Sequence, residues 1–369
     1  MAAWIAQRLY QYDRAELFTM WGMTLPQVAT TLAAALVGNR AGLISEPVLN
    51  SVVVMMLVTA IAGPLIVKRA VRDLPTLDDD LEADLIVPAI FDGRAADFSV
   101  LVPISNPQTE QSLLGLAATI AHAQAGCIKP LAIAPAQAKM DSPRMRQVIT
   151  EREALLQGAT DIGEQLNIQV DPLLRIDRHV ATGISHTARE HHVNLIVMGL
   201  NERHFNLSTR LFGDLIDKVL WASHCPVAIV RMTAAPQSIQ SILIPIKDFS
   251  ASEAHKVELS IAIARANQAN ITLLHILPVR PSAKRLRWVS DKLARLAGEA
   301  PQDVIITPKV INHDHVAKAI MAEARHFDLV VTRTRRRRAH GGRLEIGDIP
   351  SLLVQQLKCS LILFGEPQS

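Results

Sequence analysis

Two stretches near the start of the chain carry no charge. Residues 47–67, PVLNSVVVMMLVTAIAGPLIV, are the more apolar of the two. At about 1.5 Å per residue this run covers about 30 Å, the thickness of a bilayer core, and so predicts a membrane-spanning helix. Lys68, Arg69 and Arg72 follow at once, which sets that end on the cytoplasmic side. Gly63-Pro64 would kink or end the helix, a feature that membrane helices tolerate. Residues 17–39, LFTMWGMTLPQVATTLAAALVGN, are less apolar and rich in Ala and Thr. Gln27, Thr30, Thr31 and Ala34 fall on one helical face, and small or hydroxyl residues in lipid mark a face that packs on other helices. This stretch predicts a second span, with Tyr10, Tyr12, Phe18 and Trp21 near one interface. The loop RAGLISE joins the two spans into a hairpin with both ends in the cytoplasm. Arg8, Asp13, Arg14 and Glu16 interrupt residues 1–16, so no signal peptide is expected. A hairpin with a polar, small-residue face needs a larger bundle around it.

The pattern then changes twice. Residues 71–96 hold the acidic cluster Asp78, Asp79, Asp80, Glu82 and Asp84, which suits a solvated linker. Beyond it, short apolar β-branched runs alternate with helical stretches: VLVPI, CIKPLAIA, IQVDPLL, NLIVMGL and CPVAIVR. Strands alternating with helices predict a doubly wound parallel α/β domain. The order recurs. SILIPI at 241–246 repeats SVLVPI at 99–104, and Asn194/Asp328, Gly213/Gly347 and Cys225/Cys359 share one offset of 134 residues. The first pair is offset by 142 residues, so about eight residues are missing between strands one and four of the second copy. A fixed offset over this much chain signals a duplication. The fold class expected is α/β: two tandem doubly wound parallel-sheet domains, 97–234 and 238–366, behind a transmembrane hairpin within 1–70.

Composition narrows the function. The net charge is only +3, from 38 Lys+Arg and 35 Asp+Glu, and aromatics make up 4%; neither suits a nucleic-acid surface. Apolar residues reach 49% against 20% charged, in keeping with a membrane segment. Cys127, Cys225 and Cys359 lie far apart, which excludes a disulfide scaffold and a cysteine zinc site and fits a reducing compartment.

The repeats resemble universal stress protein domains. The segments that carry the resemblance are VLVPIS, NLIVMGLNERHFNLSTRLFGDLIDKVLWASHCPVAIVR, ILIPIK and DLVVTRTRRRRAHGGRLEIGDIPSLLVQQLKCSLILF. The N-terminal piece, from AELFTMWGM to GPLIVKRAV, is similar to the last two membrane helices of bacterial monovalent cation:proton antiporters, some of which carry a tandem stress-protein module. That resemblance implies an inner membrane, plasma or thylakoid-type, crossed more than once, with the duplicated domains in the cytoplasm. It also implies a partner: an upstream transport core or other membrane helices. The family's paired carboxylates lie upstream of these last helices, and no Asp or Glu stands inside either span here. Proton-coupled exchange needs an ionisable group at the midplane, so this chain alone is not expected to transport.

The stress-protein resemblance also raises nucleotide binding. In the ATP-binding members an Asp ends strand one and reads adenine; here Ser105 and Lys247 stand at that point. The family's phosphate loop uses glycines and a helix N-terminus to expose N–H groups to an anion. The first repeat keeps Gly199 and Gly213 but places Glu202 and Asp214 in the loop. Each carboxylate at ~4 Å from a phosphate would cost several kcal/mol at an effective dielectric of about 20, while Asp214 would itself satisfy the helix end. The second repeat has Arg333 for the first glycine, then Arg335, Arg336, Arg337 and Arg338, with Gly341, Gly342 and Gly347 beyond. ATP or another adenine nucleotide is therefore disfavoured. The arginine loop reads as a solvated basic loop, an anionic-lipid contact, a partner of the acidic linker or a contact for a nucleotide phosphate, and not as a nucleic-acid site.

The remaining candidates have plain explanations. His313-Asp314-His315 lacks a third metal ligand, and Asp314 is expected to cap the helix that follows. His191-His192 ends a helix, Ser208-Thr209 lies in a loop, and Cys225 and Cys359 precede strand five as packing residues. No Ser/His/Asp, Cys/His or P-loop signature occurs, so no enzyme is expected. The leading expectation is a membrane-anchored regulatory region of a cation:proton antiporter. Its two domains would pair within the chain, with a homodimer as a further option. The alternative is a stand-alone membrane-tethered stress protein acting as a binding module.

Overall fold

The structure is a computed structural model. It describes residues 14–24, 28–70, 98–136, 143–200, 214–298, 301, 303–334, 337–338, 344–345 and 348–366. The chain divides into two units, a helical one within residues 1–80, with which Pro281–Leu286 groups, and an α/β one formed by the rest.

The helical unit holds α1 (Arg14–Thr24), α2 (Val28–Arg40) and α3 (Glu46–Ala70). Among the described residues α3 alone is long and apolar enough to cross a membrane, at 25 residues. Within the expected span 17–39 the described residues are helical, in α1 and α2, and residues 25–27 lie outside the described set. Pro64 does not end α3, which runs through it unbroken. The hydroxyls of Ser51 and Thr59 donate to the carbonyls of Pro47 and Met55 at 2.8 and 3.0 Å, which hides polar groups on an otherwise apolar helix.

Burial on α3 follows one stripe. Leu49, Val52, Met56, Thr59, Gly63, Ile66 and Ala70 are buried or half-buried. Val53, Val54, Met55, Leu57, Val58, Ile61 and Leu65 are exposed. Gly63 sits where α1 approaches. A Cβ on Gly22 would come within 2.8 Å of Val67 Cγ2 and 3.2 Å of the Gly63 carbonyl. The close contact therefore depends on Gly22, the small-residue packing used between membrane helices. Thr30 is exposed, Thr31 half-buried and Pro64 exposed; Gln27 lies outside the described residues.

The α/β unit is built twice. The first lobe runs β1 (Ser99–Ile104), α4 (Pro107–Ala123), β2 (Cys127–Pro135), α5 (Pro143–Gln165), β3 (Leu173–Asp177), α6 (Val180–Glu190), β4 (Leu195–Gly199), α7 (Asp214–Ala222) and β5 (Val227–Arg231). The second runs β6 (Ser241–Pro245), α8 (Ala251–Asn267), β7 (Asn270–Leu277), α9 (Ala283–Gly298), β8 (Ile306–Asn312), α10 (Val316–Glu323) and β9 (Leu329–Arg333). It ends with the short pair β10 (Arg337–Arg338) and β11 (Leu344–Glu345), then α11 (Asp348–Gln356) and β12 (Ser360–Gly365). The third strand of the first lobe starts later than the IQVDPLL run suggests. Pro172 has no N–H to donate, so Val170 forms only an isolated bridge to Ile128 before β3 begins. The missing residues of the second copy fall mainly in one crossover helix: α5 has 23 residues and α9 has 16.

All ten long strands join one sheet in the order β3-β2-β1-β4-β5-β12-β9-β6-β7-β8. Pairing within each lobe is parallel, and β5 meets β12 antiparallel, Ile229 opposite Leu363. Alternate residues feed opposite faces. Val100, Val102, Ile242 and Ile244 pack with Leu114, Ile120 and Ile263 on one face. Leu101 and Leu243 pack with Ile184, Val219 and Leu353 on the other. Both faces are covered, as a parallel sheet requires. The repeat extends to its strand starts: Asn194 Oδ1 accepts from the Ser99 N–H at 2.9 Å, and Asp328 Oδ2 accepts from the Ser241 N–H at 2.9 Å.

Arg231 locks the seam between the lobes. Its guanidinium donates to the carbonyls of Val354, Leu357 and Cys359 at 2.5, 2.7 and 3.3 Å, satisfying the open C-terminal end of α11. Thr233 adds an N–H bond to Ser360 Oγ at 3.2 Å.

Two outcomes follow from this packing. Arg231→Ala leaves those carbonyls without a donor and should lower stability by about 2 kcal/mol, read by urea unfolding followed by circular dichroism in detergent. Gly22→Leu should force α1 off α3 at a cost of about 1–3 kcal/mol, seen as loss of the monodisperse peak in size-exclusion of detergent extracts.

Candidate functional site

Each lobe has a crevice where neighbouring strands send their chains to opposite sides. In the first lobe it lies between the C-terminal ends of β1 and β4, in the second between those of β6 and β9. Open α/β sheets bind ligands at such switch points.

The sequence-selected positions fall at these crevices where they are described. Ser105 follows β1 and is exposed; Gly199 closes β4. A Cβ on Gly199 would lie 3.1 Å from Leu113 Cδ1 of α4, so a larger residue there must displace that leucine. Lys247 follows β6 and is exposed, and Arg333 closes β9 half-buried. Gly213, Gly347, Arg335, Arg336, Glu202, Ser208 and Thr209 lie outside the described residues. Arg337 and Arg338 pair through their backbone with Glu345 and Leu344.

At the second crevice the described side chains bond to one another. Ser250 Oγ donates to Asp248 Oδ1 at 2.6 Å, and Arg333 Nη1 donates to Ser250 Oγ at 3.3 Å. The same nitrogen lies 4.0 Å from Asp248 Oδ1. Phe249 stacks on the buried His275, with ring centres 5.8 Å apart, and meets the Trp288 edge at 5.3 Å. His255 Nδ1 lies 3.1 Å from Glu366 Oε1. Arg333, the residue that replaces the first glycine, is thus held by an acid of the same chain.

Below these crevices sit two buried acids missed in the sequence. Glu253 of α8 is 2% exposed and ion-paired with Lys256, itself 1% exposed. Glu110 of α4 is 4% exposed, and its Oε1 has no hydrogen-bond partner. Burial pushes the Glu110 carboxyl above the ordinary range. The signal was present as an identical residue 143 positions apart at matching points of the two helices.

Other clusters do less. A cavity of about 850 Å³ on the second lobe is lined by Lys318, Arg325, Lys358, Met321, Phe327 and Cys359. Burial pushes the Cys359 thiol up, away from a reactive thiolate. His224 is held below its usual range by burial and then by Arg189 and His192. Asp314 does not cap α10. It accepts from the Val279 N–H at 3.4 Å, and the turn before α10 is closed instead by His313 Nδ1, which accepts from the His315 N–H at 2.8 Å. Among the described residues no group of three His, Cys, Asp or Glu could hold a metal ion.

Known proteins match both the repeat and the whole chain. The universal stress protein family matches residues 99–231 and 238–364. The Na(+)/H(+) antiporter NhaS5 of Synechocystis sp. is 38% identical over 385 aligned residues, which include the whole of this chain. The chain spans 54% of that relative's length. A universal stress protein from Archaeoglobus fulgidus shares the fold at a TM-score of 0.54 and 14% identity, covering 72% of this chain and 97% of its own. A protein of unknown function from Pseudomonas aeruginosa does so at 0.51 and 19% identity, covering 73% of this chain and 92% of its own. With the repeat visible in strand order and in register, and the family match extending over both lobes, the chain belongs to the universal stress protein family.

Proposed function

We propose that this chain is the C-terminal, membrane-anchored regulatory region of a monovalent cation:proton antiporter. The observation that carries the reading is the 38% identity to a Na(+)/H(+) antiporter across the whole chain, hairpin and both lobes included. The hairpin completes a transport bundle. The exposed Val, Leu and Ile side chains of α3 are the surface that lipid or further helices cover. The basic residues Lys68, Arg69 and Arg72 hold the end of α3, and the lobes after it, on the cytoplasmic side of an inner membrane. The transport carboxylates belong elsewhere in the assembly, since α3 has none between Glu46 and Lys68.

The lobes bias the exchanger only through something that favours one transport state over another. Adenine nucleotide is a poor choice for the second lobe, because Arg333 is engaged by Asp248 and Ser250. The arginines of Arg335–Arg338 carry the charge that would suit a contact with anionic headgroups.

The direct test uses everted vesicles and a pH-sensitive dye with the complete transporter. Removing residues 97–366 should leave exchange intact and shift its half-saturating cation concentration or its pH dependence. An unchanged profile contradicts a regulatory role. Expressed alone, the chain should sediment with membranes and exchange nothing. Isothermal titration of the chain with ATP at millimolar concentration should give no binding heat.

A further inference from the structure

The duplicated lobes provide a comparison position by position, and one buried charge does not match. In the second lobe, Glu253 and Lys256 are buried one helical turn apart as an ion pair. The Lys256 Nζ also donates to the carbonyl of Pro245, the last residue of β6, at 2.5 Å. A buried carboxylate is tolerable there because an ammonium and its further hydrogen bond compensate it.

The first lobe keeps the acid but lacks the cation. Glu110 precedes Glu253 by 143 residues, the same spacing as the strand starts Cys127 and Asn270 and the core pair Ile120 and Ile263. Pro103 in VPI matches Pro245 in IPI, and Leu113 stands where the second lobe has Lys256. Leu113 turns toward Gly199, the position that holds Arg333 in the second lobe. Among the described residues this corner of the first lobe therefore has Leu113 and Gly199 at the positions of Lys256 and Arg333. It retains a carboxyl that is 4% exposed with an oxygen that has no partner. The raised proton affinity of Glu110 is the same deficit seen from the acid's side.

We propose that Glu110 is the protein half of a cation site in the first lobe, which takes a monovalent cation of ammonium size in the position that Lys256 Nζ fills in the second. A single carboxylate balances a single charge. A divalent cation on one buried carboxylate would leave a positive charge uncompensated away from water, and no second acid is described beside Glu110. Potassium, ammonium and sodium share the required chemistry. The site follows from the lobe comparison and does not require that a transporter be attached.

The test is thermal unfolding of the full chain in detergent at pH 8. The chlorides of potassium, ammonium, sodium and N-methylglucamine are compared at equal ionic strength. At least one small cation should raise the midpoint by about 3 °C over N-methylglucamine, in a saturable way. Glu110→Gln should remove that response. Leu113→Lys supplies the ammonium covalently; it should melt above the wild type in N-methylglucamine and no longer respond to salt. Equal wild-type midpoints in all the salts would overturn the proposal. So would a cation response that survives in Glu110→Gln. Either result leaves the vesicle exchange assay, and the antiporter reading it tests, untouched.

Discussion

An α/β lobe with parallel strands leaves an open edge at its last strand, and unpaired edges recruit other chains. Here the last strand of each lobe closes the other. The antiparallel pairing of β5 with β12 turns two lobes into one sheet. Its consequences run through the whole unit. Because the seam is antiparallel and each lobe is parallel within itself, the two crevices open at opposite edges of the sheet. No ligand of ordinary size reaches both. The lobes meet at this seam, where the Arg231 fork on the end of α11 ties β5 to the helix before β12, and along α4 and α8, which pack on each other.

Duplication has given the lobes one frame and different electrostatics. At the corner beneath each crevice the second lobe carries Arg333 and Lys256, each matched by an acid of its own chain. The first lobe carries Gly199 and Leu113 around a lone Glu110. A site whose charges are already compensated has little to gain from a ligand, whereas an uncompensated buried carboxyl has much to gain. The lobe that has lost its built-in cations is thus the one left responsive.

Much of this organisation was legible in the residues. The strand runs SVLVPI and SILIPI and the Asn194/Asp328 pair marked both lobes, since β-branched, fully buried strands leave near-continuous apolar text. Errors arose where backbone rules override hydropathy. Pro172 delayed β3, and Asp314 accepts from the distant Val279 N–H in place of capping α10. Arg231 and Gly22 went unnoticed because they act through partners distant in sequence, and Glu110 because its burial is set by the tertiary packing and not by its neighbours in the chain. Glu110 alone left a trace, the identical residue in the second repeat. The loop glycines Gly213 and Gly347, chosen from the family pattern, and Arg335 and Arg336 of the arginine cluster lie outside the described residues.

The seam is most directly tested by hydrogen–deuterium exchange of the intact chain, resolved to peptides over Val227–Arg231 and Ser360–Gly365. If the lobes form one sheet, these amides exchange slowly and together, with protection equal to that of the central strands β1 and β6. If β5 and β12 exchange quickly and independently, as exposed edges do, the lobes are separate bodies and the continuous sheet is wrong.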